Sequence, residues 1–82
     1  MELRLGKKCK WEEINIGEVF VMDVFNCHSY FDIFYKLNNK STILLDTDFS
    51  FHWNGHIYYR HFFAKNELYK LPISNQRWWK EI

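Results

Sequence analysis

Eighty-two residues make a single domain near the lower end of what folds unaided, where only about 60–65% of the unfolded surface can be buried. Eleven Lys/Arg against ten Asp/Glu give a net charge of +1, which argues against bulk nucleic acid or an anionic membrane as an electrostatic partner. Eight Phe, five Tyr and four Trp carry more apolar area than so small a core can hold, at roughly 150–250 Å² per ring. Part of that surface is therefore expected to face a partner or a second copy of the chain.

Residues 1–10 read as a basic N-terminal arm carrying Arg4, Lys7, Lys8 and Lys10, either loose or forming a short edge strand. Residues 11–82 read as one small β domain. Trp11-Glu12-Glu13-Ile14 fits a single helical turn, and Gly17 supplies the permissive backbone that lets the chain swing into a strand. Glu18 to Phe25 is rich in β-branched and aromatic residues and predicts that strand, followed by a polar connection from Asn26 to Ser29. Tyr30 to Leu37 and Lys40 to Asp46 predict a hairpin around Asn38-Asn39, with Phe34 opposite Ile43 and Ile33 opposite Leu44. Consecutive apolar residues on both strands call for cover on both faces.

Asn54-Gly55 between two aromatic runs is the strongest turn signal in the chain. A two-residue turn there sets Trp53 opposite His56, Phe51 opposite Tyr58 and Phe49 opposite Arg60, all on one face. A fifth strand, Glu67 to Leu71, is stopped by Pro72, and Ser74 caps a short C-terminal helix from Asn75 to Glu81 that carries Trp78 and Trp79. The fold class expected is mainly β: a small five-stranded antiparallel barrel or curved sheet, SH3-like or OB-like, with that helix at its end and a low-twist open sheet as the main alternative.

Chemistry is sparse. Among the histidines, His52 and His56 point to opposite faces of a ribbon. His52 and His61 share a face but stand roughly 13 Å apart along it, too far for one ion. The expected partner of His61 is Asp48 across the hairpin. Cys9 and Cys27 are too few for a disulfide framework and read as reduced, apolar fillers of a cytoplasmic protein. No secretory leader is recognised, and no apolar run approaches the 18 or so residues of a membrane span. Neither a nucleophile elbow nor a glycine-rich phosphate loop is present, and Asp32, Asp46 and Asp48, which could in principle form an acid–base pair, read instead as a solvated edge at Asp46 and Asp48. The chain is thus expected to be non-enzymatic, with no cofactor and no metal. Trp53, Tyr58 and Arg60, with Arg77, Trp78 and Trp79, have the basic and aromatic character of a single-strand-binding surface.

The segments W-E-E-I-N-I-G-E-V-F (Trp11 to Phe20), I-F-Y-K-L (Ile33 to Leu37), L-L-D (Leu44 to Asp46) and E-L-Y-K-L-P-I-S-N-Q-R-W-W (Glu67 to Trp79) resemble short uncharacterised reading frames of bacteriophages and mobile elements of Gram-positive bacteria. The resemblance covers most of residues 10–80 and carries no catalytic motif. It implies a phage-encoded accessory protein that binds, and inhibits or redirects, a host or bacterial-immunity protein in the host cytoplasm. Trp53, His56, Tyr58, Arg60, Arg77, Trp78 and Trp79 are the expected partner-binding residues. A second copy of the chain is a further expected partner. The alternatives are a small barrel binding single-stranded nucleic acid and an oligomer that sequesters a signalling nucleotide.

Overall fold

Branched and aromatic side chains set every second residue of the central segments into an apolar layer, which a pleated strand alone can present to two faces at once. The computed structural model describes residues 6–47 and 53–71. They form six strands: β1 (Lys8–Cys9), β2 (Val19–Asp23), β3 (Phe31–Lys36), β4 (Ser41–Thr47), β5 (Ile57–Tyr59) and β6 (Glu67–Lys70). All pair antiparallel in one sheet of order β1-β6-β2-β3-β4-β5. Among the described residues no helix is long and apolar enough to cross a membrane.

The expected barrel does not close. β1 and β5 stand at opposite ends of the described sheet, with no ladder between them. The strand beyond the expected five is β1, the end of the basic arm, where Lys8 pairs with Tyr69 and Cys9 with Leu68. Gly6 makes that junction possible. Its N–H donates to the Lys70 carbonyl at 2.7 Å, and a Cβ at Gly6 would lie 2.3 Å from the same oxygen.

The hairpin joining β3 to β4 differs from expectation by one residue. Phe34 faces Leu44 and Tyr35 faces Ile43. The cause is Asn38, whose Oδ1 accepts the N–H groups of Lys40 and Ser41 at 2.8 and 2.9 Å, drawing the chain into a longer side-chain-braced turn. A register shift at Ile33/Phe34 then pairs Ile33 with Asp46 and Asp32 with Thr47. Asp32 and Asp46 consequently sit at positions that point to opposite faces, which separates two of the three carboxylates considered for acid–base work.

The strand expected to run on to Phe25 stops at Asp23, and the aromatic run after Asn54-Gly55 leaves the strand at Tyr59. Arg60–Phe63 instead forms a 3₁₀ turn that lays Phe62 and Phe63 against the sheet. Burial of two large rings there outweighs continuing a short edge strand. β5 takes β4 as its ladder partner, through Ser41↔Tyr59, Thr42↔Tyr58 and Ile43↔Ile57. The pairings proposed for Asp48, Phe49, Phe51 and His52 lie outside the described residues, as do Pro72, the Ser74 cap and the helix from Asn75 to Glu81.

Each face of the sheet carries a core. Val19, Val21, Ile33 and Leu71 are buried on one, with Phe31, Tyr35, Leu45 and Tyr69 packed beside them. On the other, Phe20, Met22, Phe34, Leu44 and Leu68 meet residues delivered by irregular segments: Trp11, Ile14, Val24 and Phe63. Phe63 is the hub of this layer, with ring centroids 4.8 Å from Phe34, 5.3 Å from Phe20 and 5.4 Å from Trp11. Phe63→Ala should therefore cost about 3–5 kcal/mol. For a domain of this size that lowers the melting temperature by about 12 °C or more, read by circular dichroism.

Candidate functional site

Two 3₁₀ turns and the β3–β4 turn enclose an open groove of about 720 Å³ above the Phe63 layer. Its floor is Cys9, Trp11, Phe63 and Leu68, and its rim carries Lys10, Glu12, Lys40, Tyr59, Arg60 and His61. Trp11 begins the first turn (Trp11–Glu13), which the Glu13 carboxylate braces by accepting the Lys10 N–H at 3.0 Å. The indole Nε1–H donates to the Asn39 carbonyl at 3.2 Å, which ties this turn to the β3–β4 turn. On the far side the Arg60 N–H donates to the Lys40 carbonyl at 2.8 Å. The Arg60 guanidinium forms an ion pair with Glu12 across the rim. The Glu12 carboxyl is held below the usual range by its own backbone N–H and further by Arg60.

Beneath Trp11 lies a buried cation. Lys36 is 3% exposed; its Nζ donates to the carbonyls of Ile14 and Trp11 at 2.7 and 3.0 Å and stands 4.3 Å from the indole centroid. Burial pushes the ammonium below its usual 10.5. Burial likewise pushes the Cys9 thiol up, whereas Cys27 is exposed, contrary to its reading as an apolar filler.

The sequence-predicted contact residues separate. Trp53 is 64% exposed beside the Asn54-Gly55 turn, with its ring 4.9 Å from His56 in an edge-to-face arrangement. Tyr58 faces inward, 4.6 Å from Phe62 and 5.7 Å from Phe34, as part of the aromatic layer. The ring that β5 presents outward is Tyr59, parallel to His61 with centroids 6.5 Å apart. Arg60 lines the groove, some way from the ladder face expected for it. Arg77, Trp78 and Trp79 lie outside the described residues. Lys10, Trp11, Lys40 and His61 were not expected to share a site, because only the closing of two irregular turns over the sheet brings them together.

Of the histidines weighed for a metal, His56 packs on Trp53 and His61 on Tyr59, and His52 is outside the described residues. A different set has ligand-like spacing: Asp23, His28 and Glu67 bring donor atoms within 4.8 Å of one another. Comparison with known protein families, curated proteins and solved structures finds no match.

Lys36→Met removes the donor from two buried carbonyls and should cost about 2–4 kcal/mol. The pH dependence identifies the group. With its folded value depressed, the unfolded chain binds more protons just below pH 10.5, so Lys36 makes stability rise with pH through that interval. Denaturant melts of the two proteins from neutral pH to about 10.5 should show this rise in the parent and its loss in the Met variant.

Proposed function

We propose that this chain is a non-enzymatic binding module that docks a protein partner along β5. The observation that carries the reading is the cluster of large apolar side chains in solvent there: Trp53, Ile57 and Tyr59 are 64%, 44% and 57% exposed on and beside the last strand of the described sheet. Ile57 continues a cross-strand row from Tyr35 through Ile43, so the apolar surface runs inward from the edge. Aromatic anchors with polar neighbours such as Asn54, His56 and Arg60 have the composition of interface hot spots. The phage resemblance supplies the class of partner, a host or bacterial-immunity protein that a small accessory protein binds stoichiometrically. A cytoplasmic site of action and the absence of catalysis belong to the same proposal.

A second reading is favoured by the groove. Its volume falls within the range of small-molecule sites, and Lys10, Lys40, Arg60 and His61 surround an aromatic floor. A nucleotide would stack on the rings and lay its phosphates on the basic rim.

The two separate in one set of measurements on the whole chain. A host-lysate pull-down should recover a protein at stoichiometric yield, and Trp53→Ala should lose it by about 2 kcal/mol or more of affinity while melting within a degree or two of the parent. A large fall in melting temperature would make Trp53 structural and remove the β5 reading. Recovery of the chain's own second copy would show as a doubled mass in solution. Nucleotide released on denaturation, with weaker retention by Arg60→Ala, would place function in the groove instead.

A further inference from the structure

We propose that Asp23, His28 and Glu67 form a binding site for a first-row divalent cation, Mn²⁺ or Zn²⁺, at the junction of β2, β6 and the β2–β3 connection. The site is remote from β5 and stands independently of the docking proposal. Asp23 and Glu67 are direct partners across the β2–β6 ladder, so their side chains rise from the same face. Asp23 is fully buried. Its Oδ1 accepts the His28 N–H at 3.0 Å, but its Oδ2 is buried with no hydrogen-bond donor. The His28 imidazole beside this oxygen forms an ion pair with it only when protonated; with a neutral ring the buried carboxylate oxygen is open to a metal ion.

His28 supplies the second donor. Its Nδ1 stands 2.9 Å from Oδ2 without the alignment of a hydrogen bond. Two ligands at right angles around an ion with bonds of about 2.1 Å are separated by about 3.0 Å. The spacing, also that of an ion pair, suits neighbouring ligands of one octahedral ion. Glu67 completes the group within 4.8 Å, and small side-chain rotations close that span to one ion. Two carboxylates and one neutral imidazole balance a divalent charge, and this mixture of oxygen and imidazole donors suits Mn²⁺ or Zn²⁺. The His28 side chain is 65% exposed, which leaves room for water in the remaining positions.

The loop is built to hold His28 there. Phe25, Asn26 and His28 all have left-handed backbone, with φ of 60°, 52° and 59°. Asn26 locks the loop to β6 by donating to the Lys65 carbonyl at 2.9 Å and accepting the Glu67 N–H at 2.7 Å. Asn66 in turn accepts the Phe25 N–H at 3.1 Å. Glu67 is held in place by Lys8 at 2.9 Å and by the Tyr69 hydroxyl at 2.7 Å. Lys8 is largely exposed, so an incoming cation can displace its ammonium from Glu67 into water.

The test titrates the whole chain with Mn²⁺, following the loss of the free-ion paramagnetic resonance signal, and repeats it with Zn²⁺ by calorimetry. Saturable binding of one ion per chain is expected, weakened about tenfold or more in His28→Asn and in Glu67→Gln. Asparagine accepts the left-handed backbone at position 28, so that variant should keep the parent's circular dichroism, with a melting temperature lowered only by the loss of the imidazole beside Asp23. Lys8→Met should bind Mn²⁺ more tightly than the parent, since it removes the competing charge. No saturable binding of either ion, or affinities unchanged in both His28→Asn and Glu67→Gln, would overturn the site. So would unchanged or weaker Mn²⁺ binding in Lys8→Met.

Discussion

The stacking of Trp11 on Phe63 is the contact on which the described fold depends. Six short strands expose far more apolar face than they can bury among themselves, and no α-helix in the described residues covers it. The cover comes from single rings delivered by two 3₁₀ turns, one before β2 and one after β5, whose planes meet at 23°. Because the turns lie far apart in sequence, neither can hold its ring in place alone. Each is fixed by the other and by Phe20 and Phe34 beneath them.

Lys36 extends the same arrangement downward. A β-strand side chain that satisfies the carbonyls at the end of the first turn does the work of a helix cap, and its charge lies against the face of the indole. Trp11 is thereby gripped by a cation below, by the Asn39 carbonyl at its edge and by Phe63. The groove above inherits this rigidity, since its floor is the upper side of the same layer. Its rim is softer. The Glu12–Arg60 pair is largely in water, where such bridges contribute little.

Much of the sheet was legible because β2, β3, β4 and β6 are marked by composition and by alternation, and Gly17 and Asn54-Gly55 by backbone chemistry. The errors lie where a local rule met a stronger interaction. Asn38 braced the β3–β4 turn through its own side chain, which lengthened the turn and moved the register. At Arg60 the aromatic run looked like strand, but its rings gain more by dropping onto the core. Tyr58 and Tyr59 show the same limit: alternation says they face opposite ways, yet only the neighbours of β5 decide which way is inward. The groove and the Asp23–His28–Glu67 group were not legible at all. Both join residues whose nearness is created by the β2–β6 pairing or by two distant turns, and no local spacing records either.

β6 comes last in the described chain but lies inside the sheet, between β1 and β2. On the ribosome, the earliest strands therefore emerge with the space between them still vacant. β2, β3 and β4 can assemble as a meander, but β1 has no neighbour until residues 67–70 have been made. The β1 edge must wait for residues about sixty positions further on, and closure of that long loop is the slow step expected of non-local sheets. During that interval the flank of β2 is open to wrong pairing, and the strand that covers it is the last of the described strands to be made.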